Sequence, residues 1–190
     1  MPTRVMEKPV DPVAAWLAPL ADDPAGAVAF LAEVTDRVSR HHGSGRVLVP
    51  GGGPVADALA GEGYEVHLEP GPRFDAGYLG ADVLSRLPDQ RDQLRAIGRY
   101  SRLLRPGGAL VVQGRHPDPA CWTADARVRA VDDVRQIVHL ADAALPLRYV
   151  WPAELDLMAE LAGLALDGRW GGWYGEPVTC GGFVVSVYRS

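Results

Sequence analysis

The chain has 190 residues and a formal net charge of -5, with 47% apolar and 23% charged residues. That length predicts one domain with a core of its own, and the composition is that of a soluble globular protein. The acidic balance argues against nucleic acid or an anionic membrane as the main partner.

Basic residues are interspersed with acids, as in RDQLRAIGRYSRLLR, so no basic stripe forms. Cys121 and Cys180 lie far apart with no partner pattern, which makes neither a disulfide framework nor a zinc site. No set of His, Asp and Glu shows metal-ligand spacing, so no metal is expected. The start, MPTRVMEKPVDPVAAW, lacks a signal-peptide apolar stretch, and no apolar run nears the length of a membrane span. The expected location is the cytoplasm.

Asp11 to about His42 reads as two short helices. In the second, Val28, Leu31, Val34 and Val38 recur at helical spacing. His41 and His42 close it, where the helix dipole favours them. HHGSG then breaks the chain. Four stretches read as parallel strands: RVLVP at 46–50, YEVHLE at 64–69, FDAGYL at 74–79 and GALVVQG at 108–114. Pro54 suits the first turn of a helix between the first pair. The segment PDQRDQLRAIGRYSRLLRPGG is a helix with Leu94, Ile97, Ser101 and Leu104 on one face, stopped by Pro-Gly-Gly.

Residues 125–145 are amphipathic and read as a helix over the ligand-binding edge, or as a docking element for a partner. The tail reads as a helix, PAELDLMAELAGL, then a strand, ALDGRW, and a closing strand, GGFVVSVYRS, antiparallel to its neighbour. Alternating strands and helices predict a doubly wound, mostly parallel α/β sheet. The expected organisation is one domain over 1–190. Its parts are N-terminal helices (1–43), core sheet (44–114), cap or insert (115–150) and a C-terminal helix with a strand pair (151–190).

The sequence RVLVPGGG…GYEVHLEP followed by RFDAGYL…LRAIGRYSRLLRPGGALVVQ resembles class I S-adenosylmethionine-dependent methyltransferases. The stretch LLRPGGALVV matches that family's turn into its fifth strand. RYVWPAELDLMAELAGLALDGRWGGWYGEPVT…FVVSVYRS is similar to its C-terminal helix and two-strand finish. The resemblance covers roughly residues 28 to 190. It implies a Rossmann-like sheet and a glycine loop whose backbone approaches the methionine part of the cofactor. It also implies an acid near that loop for the amino group, an acid after the second strand for the ribose, and an adenine contact after the third strand.

The chain departs from that pattern in three places. Val49 stands where the loop acid is expected, and the loop is about two residues short. After Glu69 only PGPR precedes Phe74, too little for a crossover to a new parallel strand. The family's third strand and its preceding helix are therefore expected to be missing. Pro50 also removes a backbone donor just before the glycines. Gly51, Gly52, Gly53 and Glu69 remain the cofactor-binding candidates if S-adenosylmethionine binds. Glu69 reads equally as a solvated acid at a strand end.

The loop QGRHPDPACW falls at the carboxyl edge of the sheet, where open α/β folds bind ligands. His116 is a candidate general base and Arg115 a candidate anion holder. A plain surface turn is the alternative. Tyr78 and Asp82, on and after the fourth predicted catalytic-edge strand of the family, complete the catalytic set, while Asp75 reads as structural. Trp122, Trp170, Trp173 and Tyr174 are candidate walls of a small-molecule pocket. For the last three, packing under the final hairpin is the alternative.

Three functional readings compete. The first is a methyltransferase-fold enzyme of small-molecule biosynthesis, holding no cofactor and repurposed for cyclisation, elimination or displacement. The second is a non-catalytic subunit pairing with itself or with a methyltransferase-like paralogue, through an unprotected sheet edge or through a helical face. The alternative to both is a true methyltransferase using S-adenosylmethionine on a small molecule.

Overall fold

The computed structural model describes residues 11–21, 23–40, 45–71, 73–81 and 83–190. Two helices come first, α1 (Pro12–Ala21) and α2 (Pro24–Ser39). Each begins with a proline behind an aspartate. Asp11 accepts from the Val13 N–H at 2.9 Å and Asp23 from the Gly26 N–H at 2.8 Å, which satisfies donors that a helix start leaves open. The expected His41 and His42 helix end lies outside the described residues.

Then follow β1 (Arg46–Leu48), α3 (Pro54–Gly61), β2 (Glu65–His67), β3 (Phe74–Leu79), α4 (Gln90–Leu103) and β4 (Leu104–Arg115). The second half runs α5 (Pro119–Trp122), β5 (Val128–Asp132), β6 (Ile137–Leu140), β7 (Leu147–Arg148), α6 (Pro152–Leu161), β8 (Ala165–Trp170) and β9 (Phe183–Arg189).

The main sheet has the order β2-β1-β3-β4-β9-β8. Its first four strands are parallel, and β9 runs antiparallel to both β4 and β8. Among the described residues β2 is an edge strand, and none forms the family's third strand, whose absence was expected. No helix is described between β2 and β3. β1 and β2 are only three residues long, so a short return spans them. His67 and Phe74 pack edge to face across it, with ring centroids 5.2 Å apart.

The pleat of β4 divides the core. Ala109 and Val111 face Leu31, Val47 and Leu59 under α2 and α3, while Leu110 and Val112 face Ile97 and Met158 under α4 and α6. This is the two-residue alternation of a strand covered on both sides. Asp75, 4% exposed, sits at the opposite end of the sheet from the ligand edge. It accepts from the Arg46 N–H at 2.7 Å and pairs with Arg105 at 2.6 Å. That is the structural role expected of it.

The helix expected over 125–145 is instead a hairpin, β5–β6, extended by β7 into a three-stranded sheet. Asp132 turns the chain by accepting the N–H groups of Val134 and Arg135 at 3.1 and 3.0 Å, and Gln136 takes a left-handed φ of 59°. An aspartate that bonds the backbone two residues on stops a helix as it starts a turn. Val138, Leu140 and Leu147 of this sheet pack on Val13, Trp16 and Leu17 of α1.

A buried polar network fastens the small sheet to the large one. Gln93, fully buried on α4, donates to the carbonyls of Leu84 at 2.9 Å and Arg148 at 3.3 Å, and accepts from Arg148 Nη1 at 2.6 Å. Arg148 also pairs with Glu154 of α6 at 2.6 Å and bonds Gln136. Removing one member of a buried pair leaves the other charge dry. Glu154→Ala is therefore expected to lower unfolding free energy by about 3 kcal/mol in urea titration. A loss under about 1 kcal/mol, the range of a surface pair, would show that the network does not hold the sheets together.

Candidate functional site

The carboxyl ends of β1, β2, β3 and β4 form one edge of the main sheet, and the candidate residues fall at its two ends. At the β1 end Gly51, Gly52 and Gly53 have φ of 82°, 70° and 96°. These left-handed values favour glycine. The Gly52 N–H closes a tight turn on the Val49 carbonyl at 3.2 Å, and Pro54 starts α3 immediately. The space beside Gly51 and Gly53 is open, whereas a Cβ on Gly52 would meet the Leu68 side chain at 3.4 Å.

Val49 is 2% exposed and points into the apolar cluster under α2. A cofactor ammonium would find no carboxylate there. Glu69 stands exposed past the end of β2. No described strand lies outside β2 to wall an adenine. The open glycine backbone would admit a ligand group beside Gly51 and Gly53.

At the β4 end a cavity of about 80 Å³ lies beneath the small sheet. Its apolar walls include Leu17 of α1, Leu84, Val112 of β4, Val138, Leu147 and Leu155 of α6. Gln113, Arg115, Trp122, Arg148 and Tyr149 also line it. The rings interlock edge to face. Trp16 and Trp122 are 5.4 Å apart, and Trp122 and Tyr149 5.1 Å. Arg115 lies 5.0 Å from the Trp16 ring and 5.6 Å from that of Trp122, within cation–π range. Its Nε donates to the Gly181 carbonyl at 2.9 Å. Burial pushes the guanidinium below the usual arginine range, and Asp125 and Asp118 oppose that shift.

His116 is half-buried beside this cavity, its ring 5.7 Å from that of Trp151. Its Nδ1 is 3.0 Å from the Pro117 carbonyl. A carbonyl only accepts, so Nδ1 is the donor here, and in the neutral tautomer that this selects the lone pair is on Nε2. Tyr78 is buried, and its hydroxyl donates to Gln113 Oε1, so it stands behind the cavity wall. Asp82 lies outside the described residues. Tyr149 donates to Asp133 at 3.2 Å. Burial first, and Asp133 second, push its hydroxyl up to about 12, so it is no base at neutral pH.

Trp170, Trp173 and Tyr174 are not brought to this cavity. Phe30 of α2 packs against Trp170 at 5.5 Å and Trp173 at 5.4 Å, on the other face of the sheet. Tyr174 is 72% exposed and donates to Asp23 at 2.9 Å. Trp122 alone of the four aromatic candidates lines the cavity. Sequence reasoning missed Trp16, Gln113, Arg148 and Tyr149. Gln93 carried a usable signal, a polar residue one helical turn before the core residue Ile97. The two cysteines are exposed and free, and no group of three potential metal ligands occurs among the described residues.

No family model and no curated protein sequence matches the chain. Solved structures do. CcbJ methyltransferase from Streptomyces caelestis superposes with a TM-score of 0.68 at 24% identity, over 88% of this chain and 89% of that one. An S-adenosylmethionine-dependent methyltransferase from Clostridium acetobutylicum gives 0.65 at 11% identity, over 93% and 97%. CalS10 from Micromonospora echinaspora, an amino pentose methyltransferase of calicheamicin biosynthesis, gives 0.59 at 14% identity, over 97% and 99%. The chain has the class I S-adenosylmethionine-dependent methyltransferase fold, as its motifs implied. No helix among the described residues is long and apolar enough to cross a membrane.

Asp125, next to the cavity rim, supplies a pH test. Arg127 donates to it from Nε at 3.0 Å, Nη2 at 2.8 Å and its backbone N–H at 2.9 Å. These bonds pull the carboxyl from 3.8 to about 2. A depressed folded value means stability that is present above about pH 4 and lost as pH falls towards 2. Asp125→Asn should remove that share, so the stability of the wild type should fall more steeply than the variant's across this window in acid titration by circular dichroism. Parallel acid limbs would refute the ion pair.

Proposed function

We propose that this chain is a protein of small-molecule biosynthesis that holds a single small molecule at the β4 end of the methyltransferase fold and does not transfer a methyl group. The observation that carries the reading is the asymmetry of the ligand edge. At the β4 end a small, partly open apolar cavity meets a few polar groups, the combination of lining that small-molecule sites use. At the β1 end the loop acid is replaced by the buried Val49, and the sheet stops at β2.

Chemistry within one bound molecule suits this arrangement: cyclisation, elimination or displacement, driven mainly by holding a reactive conformer. His116 Nε2 is the proton acceptor in this reading, and Arg115 holds an anionic group. Gln113 fixes the Tyr78 hydroxyl, which supports the cavity wall rather than the reaction. One solved relative, CalS10, is involved in calicheamicin biosynthesis, and this supports the biosynthetic setting.

A second reading, S-adenosylmethionine-dependent methylation of a small molecule, is favoured by two observations. The three glycines keep left-handed, open backbone at the β1 turn, and the solved relatives are methyltransferases, one of them with S-adenosylmethionine bound. Isothermal titration calorimetry with S-adenosylmethionine and S-adenosylhomocysteine decides between the two. The proposal expects no saturable heat up to about millimolar ligand. Saturable binding in the micromolar range, abolished by Gly52→Val, would establish the second reading instead.

A further inference from the structure

Two residues lining the β4 cavity carry hydrogen-bond donors that the described protein does not satisfy. Trp122 is 2% exposed, and its indole Nε1 has no acceptor. A buried N–H without a partner is costly, and such groups are usually met by a ligand or by water. Arg115, on the same lining, uses only Nε, towards Gly181. Its two terminal nitrogens have no acceptor among the described residues.

The acids near Arg115 are otherwise engaged. Asp118 accepts the Cys121 N–H at 3.2 Å as the cap of α5, and Asp125 is held by Arg127. The indoles of Trp16 and Trp122 flank the guanidinium. Stacking on aromatic faces leaves the planar edge of an arginine free to form two parallel bonds with a carboxylate. The rest of the lining is aliphatic, from Leu17, Val112, Val138 and Leu147 among others.

We propose that this cavity binds a small carboxylate whose oxygens take the Arg115 terminal N–H groups and the Trp122 Nε1–H, with a short aliphatic body against the wall. The cavity size sets the length. Benzene occupies an engineered apolar cavity of about 150 Å³, and this cavity is about 80 Å³, so it takes a carboxylate and the first carbons of its aliphatic body, not an aryl acid. The remainder of a longer acid lies towards the cavity mouth. The inference rests on the reading that the β4 cavity is the ligand site, and it adds the chemical class.

The test uses the full chain labelled with 15N. Trp122→Phe assigns the indole signal. Isovalerate, isovaleramide and isoamyl alcohol are then titrated separately. Isovalerate should shift the Trp122 Nε1–H downfield saturably and bind at least about ten-fold more tightly than either neutral analogue. Arg115→Lys, which keeps the charge but not the fork, should weaken isovalerate about ten-fold while leaving the alcohol unchanged.

Equal binding of all three probes in the cavity would overturn the carboxylate class and leave the cavity reading standing. No binding by any probe, with the indole N–H exchanging with water alone, would overturn both. Binding of isovalerate that is indifferent to Arg115→Lys and leaves the Trp122 signal in place would locate it elsewhere and refute the proposal.

Discussion

One buried cation organises the ligand edge. Arg148 lies at the end of a two-residue strand with almost no access to water. Three residues from different parts of the chain surround it: Gln93 of α4, whose amide also donates to the Arg148 carbonyl, Glu154 of α6 and Gln136 of the hairpin turn. A charge so placed tolerates few alternative arrangements, because each missing partner leaves an unscreened group. That requirement sets the small sheet at one height above β4, and the space left between them is the cavity.

The same constraint explains why the two ends of the ligand edge differ. Over β4 the small sheet, α1 and the Trp16–Trp122–Tyr149 stack make a roof. Over β1 the described residues place the glycine turn, with Leu68 beside Gly52 and Glu69 exposed beyond it. Where a flanking strand is missing, a nucleotide has one wall fewer to stack against. Function on this fold depends on the site rather than on the fold itself, and the apolar cavity lies over β4.

Much of the fold was legible. The order of VLVPGGGPV, the LLRPGG turn and the closing ALDGRW and FVVSVY strands encodes the sheet, because local stop signals and strand patterns agree with the global order. The missing third strand was readable from simple length, since the residues after Glu69 cannot build a crossover. The hairpin was not readable. Val128, Val131, Val138 and the charges between them satisfy a helical period as well as a strand period. What selects the strand is the Asp132 turn together with the docking of α1, a contact made across more than half the chain.

The site was legible only in part. Arg115, His116 and Trp122 follow directly from being next to the end of β4. The partners that give them meaning, Trp16 and Tyr149, come from α1 and from beyond the hairpin, and no local pattern announces a contact at that separation. The glycine-flanked aromatics misled for the opposite reason: Trp170 and Trp173 look like a binding loop but pack on Phe30 across the sheet. The central claim, that ligand is held over β4 and not at the glycine turn, is tested most directly by backbone amide shift mapping. With S-adenosylhomocysteine and isovalerate added in turn, the account predicts that only isovalerate produces saturable changes, centred on Val112, Arg115, Trp122 and Leu147. Saturable shifts of Gly51, Gly52, Gly53 and Glu69 with S-adenosylhomocysteine would contradict it.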